Sequence, residues 1–282
     1  MTQATYCRRT AGQVLKSEKI AEIFSPWNNS RECWLFVSPH DDDIVCGCGL
    51  SFQAAIGEGI EVHAVVATDG RMGYCRLPQR ECISQIRRRE ASESYRLLGL
   101  PAERLHLLPF PDGNLGPYLG RRLTSADDPT AIEGATGLQN AFTHLLRRVR
   151  PTRVFLPSMT DIHPDHRIVH DEMLISVFHA QGRIWPELGD PLASIPVLYE
   201  YATYCDFLTP PQIRVVVPEA LLERKLSGIR AYASQEQIDL LVEVQRQAGP
   251  VEYLREVEFN VLRPGQYEEL FVAPSPSGRG LG

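Results

Sequence analysis

The feature that most constrains this chain is a rhythm: short apolar runs alternate with longer amphipathic segments through the first two thirds of the sequence. A short buried run needs sheet neighbours, and an amphipathic helix needs a sheet face to cover. The alternation therefore builds a parallel sheet with helices on both faces. The runs at 33–38, 62–68, 104–108 and 153–156 read as strands, and the segments at about 47–56, 82–98, 138–149 and 165–180 read as helices. The helix at 82–98 is the clearest, with Ile83, Ile86, Tyr95 and Leu98 among its apolar positions, Gly99 as a C-cap and Pro101 beyond it. The expected fold is α/β, a Rossmann-like doubly wound, mostly parallel sheet.

After Gly182 the rhythm gives way to Pro-punctuated chain. Strands at 197–204 and 213–217 are followed by helices near 219–231 and 235–247, a layer appended to the same domain. One domain over 1–273 is expected, with its core at 33–180 and the appended layer at 196–273. Residues 112–137, rich in Gly, Pro, Asp and Thr and without a period, read as a long loop of the kind that lines or covers a site. The Pro, Ser and Gly of 274–282 read as a disordered tail.

Composition narrows the function. The 282 residues, 43% hydrophobic, are ample for a packed core. A net charge of -6 argues against the concentrated basic face that nucleic acid requires, and a small-molecule partner fits better. The run Arg87-Arg88-Arg89 is interleaved with Glu81, Glu90 and Glu93 and reads mostly as a solvated helix face. Seven scattered cysteines read as reduced thiols. No stretch approaches the roughly twenty apolar residues of a membrane span, and the first residues lack the apolar core of a signal peptide, so a cytoplasmic location is expected. Homo-oligomerisation stays open.

The chemistry lies in two clusters, Ser38-Pro39-His40-Asp41-Asp42-Asp43 after the first strand and Asp161-Ile162-His163-Pro164-Asp165-His166 after the fourth. In a doubly wound sheet of order 3-2-1-4, strands one and four are neighbours, and the crevice at their carboxyl ends is where such folds place their sites. Two imidazoles and one carboxylate suit zinc and leave its fourth tetrahedral position for water. His40, Asp43 and His166 are assigned to the metal. Asp42, beside it, is placed to take a proton from the attacking water. His163 is placed to stabilise the oxyanion and protonate the departing amine, with Asp165 available to hold an imidazole in its useful tautomer. Taken singly, three acids after a strand can be only a favourable helix start, and a lone H-x-x-H means little. Their convergence on adjacent strand ends gives them weight. Iron(II) or cobalt would suit the same ligands.

These residues resemble the LmbE-like (PIG-L) family of zinc-dependent N-acetylglucosaminyl deacetylases. Its first signature, roughly [A/S]-H-P-D-D-E or P-H-x-D-D, stands here at 38–44, and its second, H-P-D-H, is intact at 163–166. Further likenesses are VVATDG at 65–70, Arg87 and Glu90 followed by Leu97-Leu98-Gly99, and Phe110-Pro111-Asp112-Gly113. The likeness is strong over about 34–177 and weaker beyond, where Lys225, Tyr232, Ser234 and Gln235 resemble a family helix and 267–271 its terminal E-x-F strand. The resemblance implies an LmbE-like fold, zinc on His40, Asp43 and His166, Asp42 as base and His163 as acid or electrophile. It also implies removal of an N-acyl group, most simply acetyl, from an amino sugar or its conjugate. Two departures stand out: Asp41 replaces the usual Pro, and Ile44 the usual Glu.

Asp112 resembles a position that the family uses for sugar hydroxyls, and Arg71 could reach a phosphate, carboxylate or hydroxyl at the cleft mouth. Their plainer readings are a turn residue before Gly113 and an exposed charge. Tyr74 and Tyr118 could stack on a sugar or merely cover the core edge. Arg87 and Glu90 are expected to pair with each other. Cys46 and Cys48, too close together for ordinary zinc spacing, read as small packing residues. Other readings are a thiol-conjugate amidase of the same family, a metal-dependent phosphoesterase with about two metals, and a non-catalytic sugar-binding protein, which would need neither Asp42 nor His163.

Overall fold

The computed structural model describes residues 3–29, 31–261 and 265–271; the tail expected at 274–282 lies outside them. The chain opens with a hairpin, β1 (Thr5–Thr10) and β2 (Gln13–Ser17), and one helical turn, α1 (Ile20–Ile23). Alternating elements follow: β3 (Cys33–Ser38), α2 (Asp43–Gly57), β4 (Glu61–Thr68), α3 (Ile83–Leu97) and β5 (Leu105–Phe110). The long loop then holds a small hairpin, β6 (Arg122–Leu123) with β7 (Ala135–Thr136), before α4 (Leu138–Val149), β8 (Arg153–Pro157) and α5 (Pro164–Gln181). The last part comprises β9 (Val197–Tyr201), β10 (Ile213–Val216), α6 (Glu219–Arg230), α7 (Ile238–Ala248) and β11 (Val251–Val257).

Nine strands form one sheet in the order β2-β1-β10-β11-β9-β8-β3-β4-β5. Its segment β8-β3-β4-β5 is the expected 3-2-1-4 order read from the other edge, and β8 pairs parallel with both β3 and β9. Only β11 and β1 run against the other strands of this sheet. The α/β fold with a mostly parallel sheet is thus present. The period-2 alternation of β3 divides the core: Trp34 and Phe36 face α2, α3 and α6, whereas Cys33, Leu35 and Val37 face α4 and α5. Phe36 stacks on Phe155 of β8 with centroids 4.2 Å apart. Each fully buried large side chain contributes about 1.5–3 kcal/mol relative to exposure, so both faces of this strand anchor it.

Helix α2 starts at Asp43, four residues earlier than expected, and is broken in the middle, where Cys48 has φ -146° and ψ 24°. The break frees backbone donors, and these must be satisfied once buried. The carboxylate of Glu252 on β11 accepts from Leu50 N at 2.9 Å, Ser51 N at 2.8 Å and Ser51 Oγ at 2.9 Å. Lys225 of α6 donates to Glu252 and to Cys46 O, both at 2.8 Å. Gly47 is required beside this joint, since a Cβ there would lie 2.6 Å from the Tyr201 ring and 2.8 Å from Ala202 O. Cys46 and Cys48 thus belong to a tight helix–sheet contact, in keeping with a packing role.

Three expectations need correction. The hairpin β1–β2 and strand β11 were not anticipated, because their polar and charged residues outnumber the few that reach the core, such as Tyr6 and Leu254. The expected terminal strand at 267–271 is instead a short 3-10 turn, Glu268–Phe271, with Tyr267, Leu270 and Phe271 exposed. No described helix is long and apolar enough to cross a membrane.

Candidate active site and metal centre

The two clusters meet because β3 and β8 are neighbours. After Ser38 the chain turns sharply into α2, whose first turn holds Asp43 with its carboxylate accepting from His40 N at 2.9 Å. After β8, the turn at 158–163 leads into α5, where His163 is the N-cap and Pro164 fills the first helical position, a place where the missing N–H costs nothing. His166 then lies on the first turn, fully buried.

His40 Nδ1, Asp43 Oδ2 and His166 Nε2 form a triangle with edges of 3.2, 3.3 and 3.3 Å. Ligand atoms of tetrahedral zinc, with bonds of about 2.0–2.1 Å, stand roughly 3.3–3.4 Å apart, so these three atoms fit the group. The outer nitrogens face carboxylates. His40 Nε2 lies 3.2 Å from Asp112 Oδ1 and 3.6 Å from Asp165 Oδ2, and His166 Nδ1 lies 3.2 Å from Asp161 Oδ2. The Asp161 contact is off the line of a good hydrogen bond and acts as charge beside the ring. Such outer carboxylates fix ring orientation and raise ligand basicity. Burial opposes charge on His40, yet Asp43, Asp112 and Asp165 outweigh it and raise its pKa well above the ordinary value. His166 is raised by Asp43 against the same opposition, and the two imidazoles hold Asp43 far below the usual carboxylate range despite its burial. The centre is built around positive charge.

Asp42 stands at the mouth with its side chain a quarter exposed, and Arg87 Nη2 donates to its Oδ2 at 3.0 Å. Arg87 also grips the buried Asp41, with Nε 3.1 Å from Oδ2 and a second contact through Nη2. Tyr232 lies under the guanidinium at 4.8 Å and donates its hydroxyl to Asp41 O at 2.5 Å. Contrary to expectation, Arg87 therefore does not pair with Glu90; Glu90 accepts from Ser234 N and Oγ, both at 2.7 Å. Asp41, in place of the usual Pro, is the anchor of this clamp and lies outside the triangle.

His163 Nδ1 accepts from Asp165 N at 3.2 Å, which places the proton of the neutral ring on Nε2. Burial, with His40 and His166 adding to it, lowers its pKa. The carboxylate of Asp165 accepts from Gly113 N at 2.8 Å and faces His40, so the imidazole it orients is His40 and not His163. Asp161 was not singled out by role: besides facing His166 it accepts from His163 N at 3.0 Å and Tyr204 N at 3.2 Å. Its place just ahead of H-P-D-H was the available signal.

A cleft of about 190 Å³ opens over these groups, lined among others by Asp42, Arg87, Asp112, His163, Tyr204 and Gln237. A larger hollow of about 740 Å³ near Phe259 has no acidic, cysteine or histidine side chain among the described residues that line it, so chemistry and not size marks the site. Asp112 lines the cleft but is engaged, with Oδ1 on His40 and Oδ2 accepting from Met72 N at 3.1 Å. Arg71 does not enter the cleft lining: it folds back onto Asp69, with Nε 2.7 Å from Oδ2. Nor does Tyr118, whose ring packs on Phe110 at 5.4 Å, or Tyr74. Tyr204 takes the aromatic place instead, because β9 ends at Tyr201 and frees it into the following loop.

The family model for GlcNAc-PI de-N-acetylases, PIG-L, matches residues 35–176, which contain both clusters. The chain is 29% identical over 231 residues to 2'-N-acetylparomamine deacetylase of Streptomyces fradiae, covering 76% of this chain and 77% of that protein. Among solved structures it resembles N,N'-diacetylchitobiose deacetylase from Pyrococcus horikoshii, with a TM-score of 0.63, 26% identity, and 84% and 85% of the two chains covered. It also resembles the conserved protein TT1542 from Thermus thermophilus, with a TM-score of 0.62, 26% identity, and 82% and 97% covered. With its parallel core, its H-P-D-H turn and half its length matched, the chain belongs to the PIG-L family.

Proposed function

We propose that this protein is a zinc-dependent N-deacetylase that hydrolyses the acetamido group of an amino-sugar conjugate. The observation that carries the reading is the triangle of His40, Asp43 and His166 with Asp42 and His163 at its mouth. The paromamine and chitobiose relatives, which by name remove acetyl groups from amino sugars, support the substrate class. Zinc held by the triangle would act as a Lewis acid toward the amide carbonyl and acidify the attacking water.

The chain's own groups do the rest. Asp42, held by Arg87 and open to the cleft, accepts the proton of the attacking water. His163 donates its Nε2 hydrogen bond to the carbonyl oxygen as negative charge grows there. Because its Nδ1 is committed to Asp165 N, His163 stays neutral. The proton needed by the departing amine is then the one taken up by Asp42, which moves the second duty expected of His163 to the base.

The test is acetate release by zinc-quantified protein across N-acetylated amino sugars and conjugates. Asp42→Ala and His163→Ala should each lower kcat by about 10²–10⁴-fold with zinc content retained. Turnover unchanged in either variant would overturn the mechanism. Silence of the zinc-loaded protein across the whole panel would overturn the substrate class.

A further inference from the structure

At the end of β3 remote from the catalytic cleft, a second set of ligand-type side chains converges. A thiol from Cys33, a carboxylate from Glu61 and an imidazole from His63 offer ligand atoms that all lie within 4.8 Å of one another. Sheet register brings them together. Cys33 is the direct partner of Glu61 across β3 and β4, and His63, two residues further on, points to the same face. That face is the one covered by α4, where Cys33 joins the core.

Each member is held from behind and turned inward. Arg31 Nε donates to Glu61 Oε2 at 3.0 Å, leaving Oε1 facing His63 Nε2 at 3.1 Å. His106 of β5 supports the other side of that ring: its Nε2 lies 3.1 Å from His63 Nδ1, with the ring planes within 13° of parallel. His106 Nε2 is thereby placed to accept the Nδ1 proton of His63. His63 Nε2 then presents its lone pair toward Glu61 and the thiol, the arrangement in which a ligand histidine gives its other N–H to an acceptor. Cys33 Sγ donates a weak hydrogen bond to Val149 O at 3.7 Å.

We propose that Cys33, Glu61 and His63 form a second metal site, for a thiophilic divalent ion of the zinc class, with His106 as the outer partner of His63. One sulfur, one nitrogen and one oxygen donor favour zinc or cobalt over magnesium or calcium. The thiolate and the carboxylate supply two negative charges against a dication, while Arg31 and Arg104 add positive charge nearby. Binding replaces the S–H bond of Cys33 by a sulfur–metal bond and sends the proton to solvent.

The test is titration of the metal-free full chain with cobalt(II). The catalytic triangle contains no sulfur, so thiolate-to-cobalt absorption in the near ultraviolet reports on the second site. Wild type should bind two cobalt ions per chain and show this absorption. His166→Ala should keep it while binding one. Cys33→Ser and, separately, His63→Gln should lose it and bind one ion at the catalytic centre. A single ion in wild type without the absorption would overturn the proposal and leave Glu61, His63 and His106 as a plain hydrogen-bonded chain. Absorption surviving Cys33→Ser would overturn it too, by assigning the sulfur to another cysteine.

Discussion

His40 stands between two sets of carboxylates, Asp43 on its Nδ1 side and Asp112 with Asp165 on its Nε2 side, and His166 stands between Asp43 and Asp161. Without metal, protons fill the role of the missing positive charge. Both histidines have folded-state pKa values above their unfolded values, so their contribution to stability is complete below about pH 6.5 and is lost as pH rises through the folded values. Zinc at the proposed ligand set would compete with those protons. The zinc-induced rise in Tm should therefore grow between pH 6 and pH 8, reaching about 5–10 °C at the upper end for saturating metal. Thermal melts with and without zinc at the two pH values decide the matter, and a shift that shrinks with pH would contradict it. At this scale much was legible in the sequence, since His40 to Asp43 and His163 to His166 are contiguous and their spacing reflects local turns. Arg87, Tyr204 and the tasks of Asp112 and Asp161 were not, because each depends on a partner from a distant strand end.

Helix α2 starts at Asp43, the proposed ligand, with Asp42, the proposed base, as its N-cap, and is broken at Cys48. Its second half begins on a carboxylate supplied by β11, and that carboxylate is balanced by buried Lys225. Removing one partner of a buried pair leaves an uncompensated charge, at a cost of about 3–5 kcal/mol, whereas replacing both by apolar or neutral groups costs far less. Glu252→Gln should destabilise the protein by about that amount in urea unfolding. Combined with Lys225→Met, it should cost less than the sum of the two single changes, and strict additivity would show the pair to be uncoupled. The sequence placed the later turns of α2 and the exact span of α4, both of which follow their apolar pattern. It did not place the break, because nothing in Cys46-Gly47-Cys48 names a partner two hundred residues away.

The parallel strands and the antiparallel arm share one sheet, joined where β9 pairs parallel with β8 and antiparallel with β11. Helix α6 packs on α2 and α3, and Tyr232 just beyond it reaches Asp41. We propose that residues 3–271 form a single domain. Calorimetry should then give one transition whose van't Hoff and calorimetric enthalpies agree, and two separable transitions would divide the arm from the core. The doubly wound part was legible because its buried strands are short and uniformly apolar. Of the arm, β10 was expected at 213–217, but β1, β2 and β11 were hidden because strands of a sheet clad by helices on one side alternate with charge, as in β11 with Glu252, Arg255 and Glu256.

The adjacency of β3 and β8 has a consequence for biosynthesis. A ribosome releases His40 and Asp43 long before His166, and Tyr232 later still. Until the fourth strand has docked, the nascent polypeptide carries a cluster of aspartates with no opposite imidazole, unable to complete the cation's cage. With the proposed ligand set, metal uptake at this centre follows translation of well over half the chain, and the ion would report a finished core instead of nucleating one.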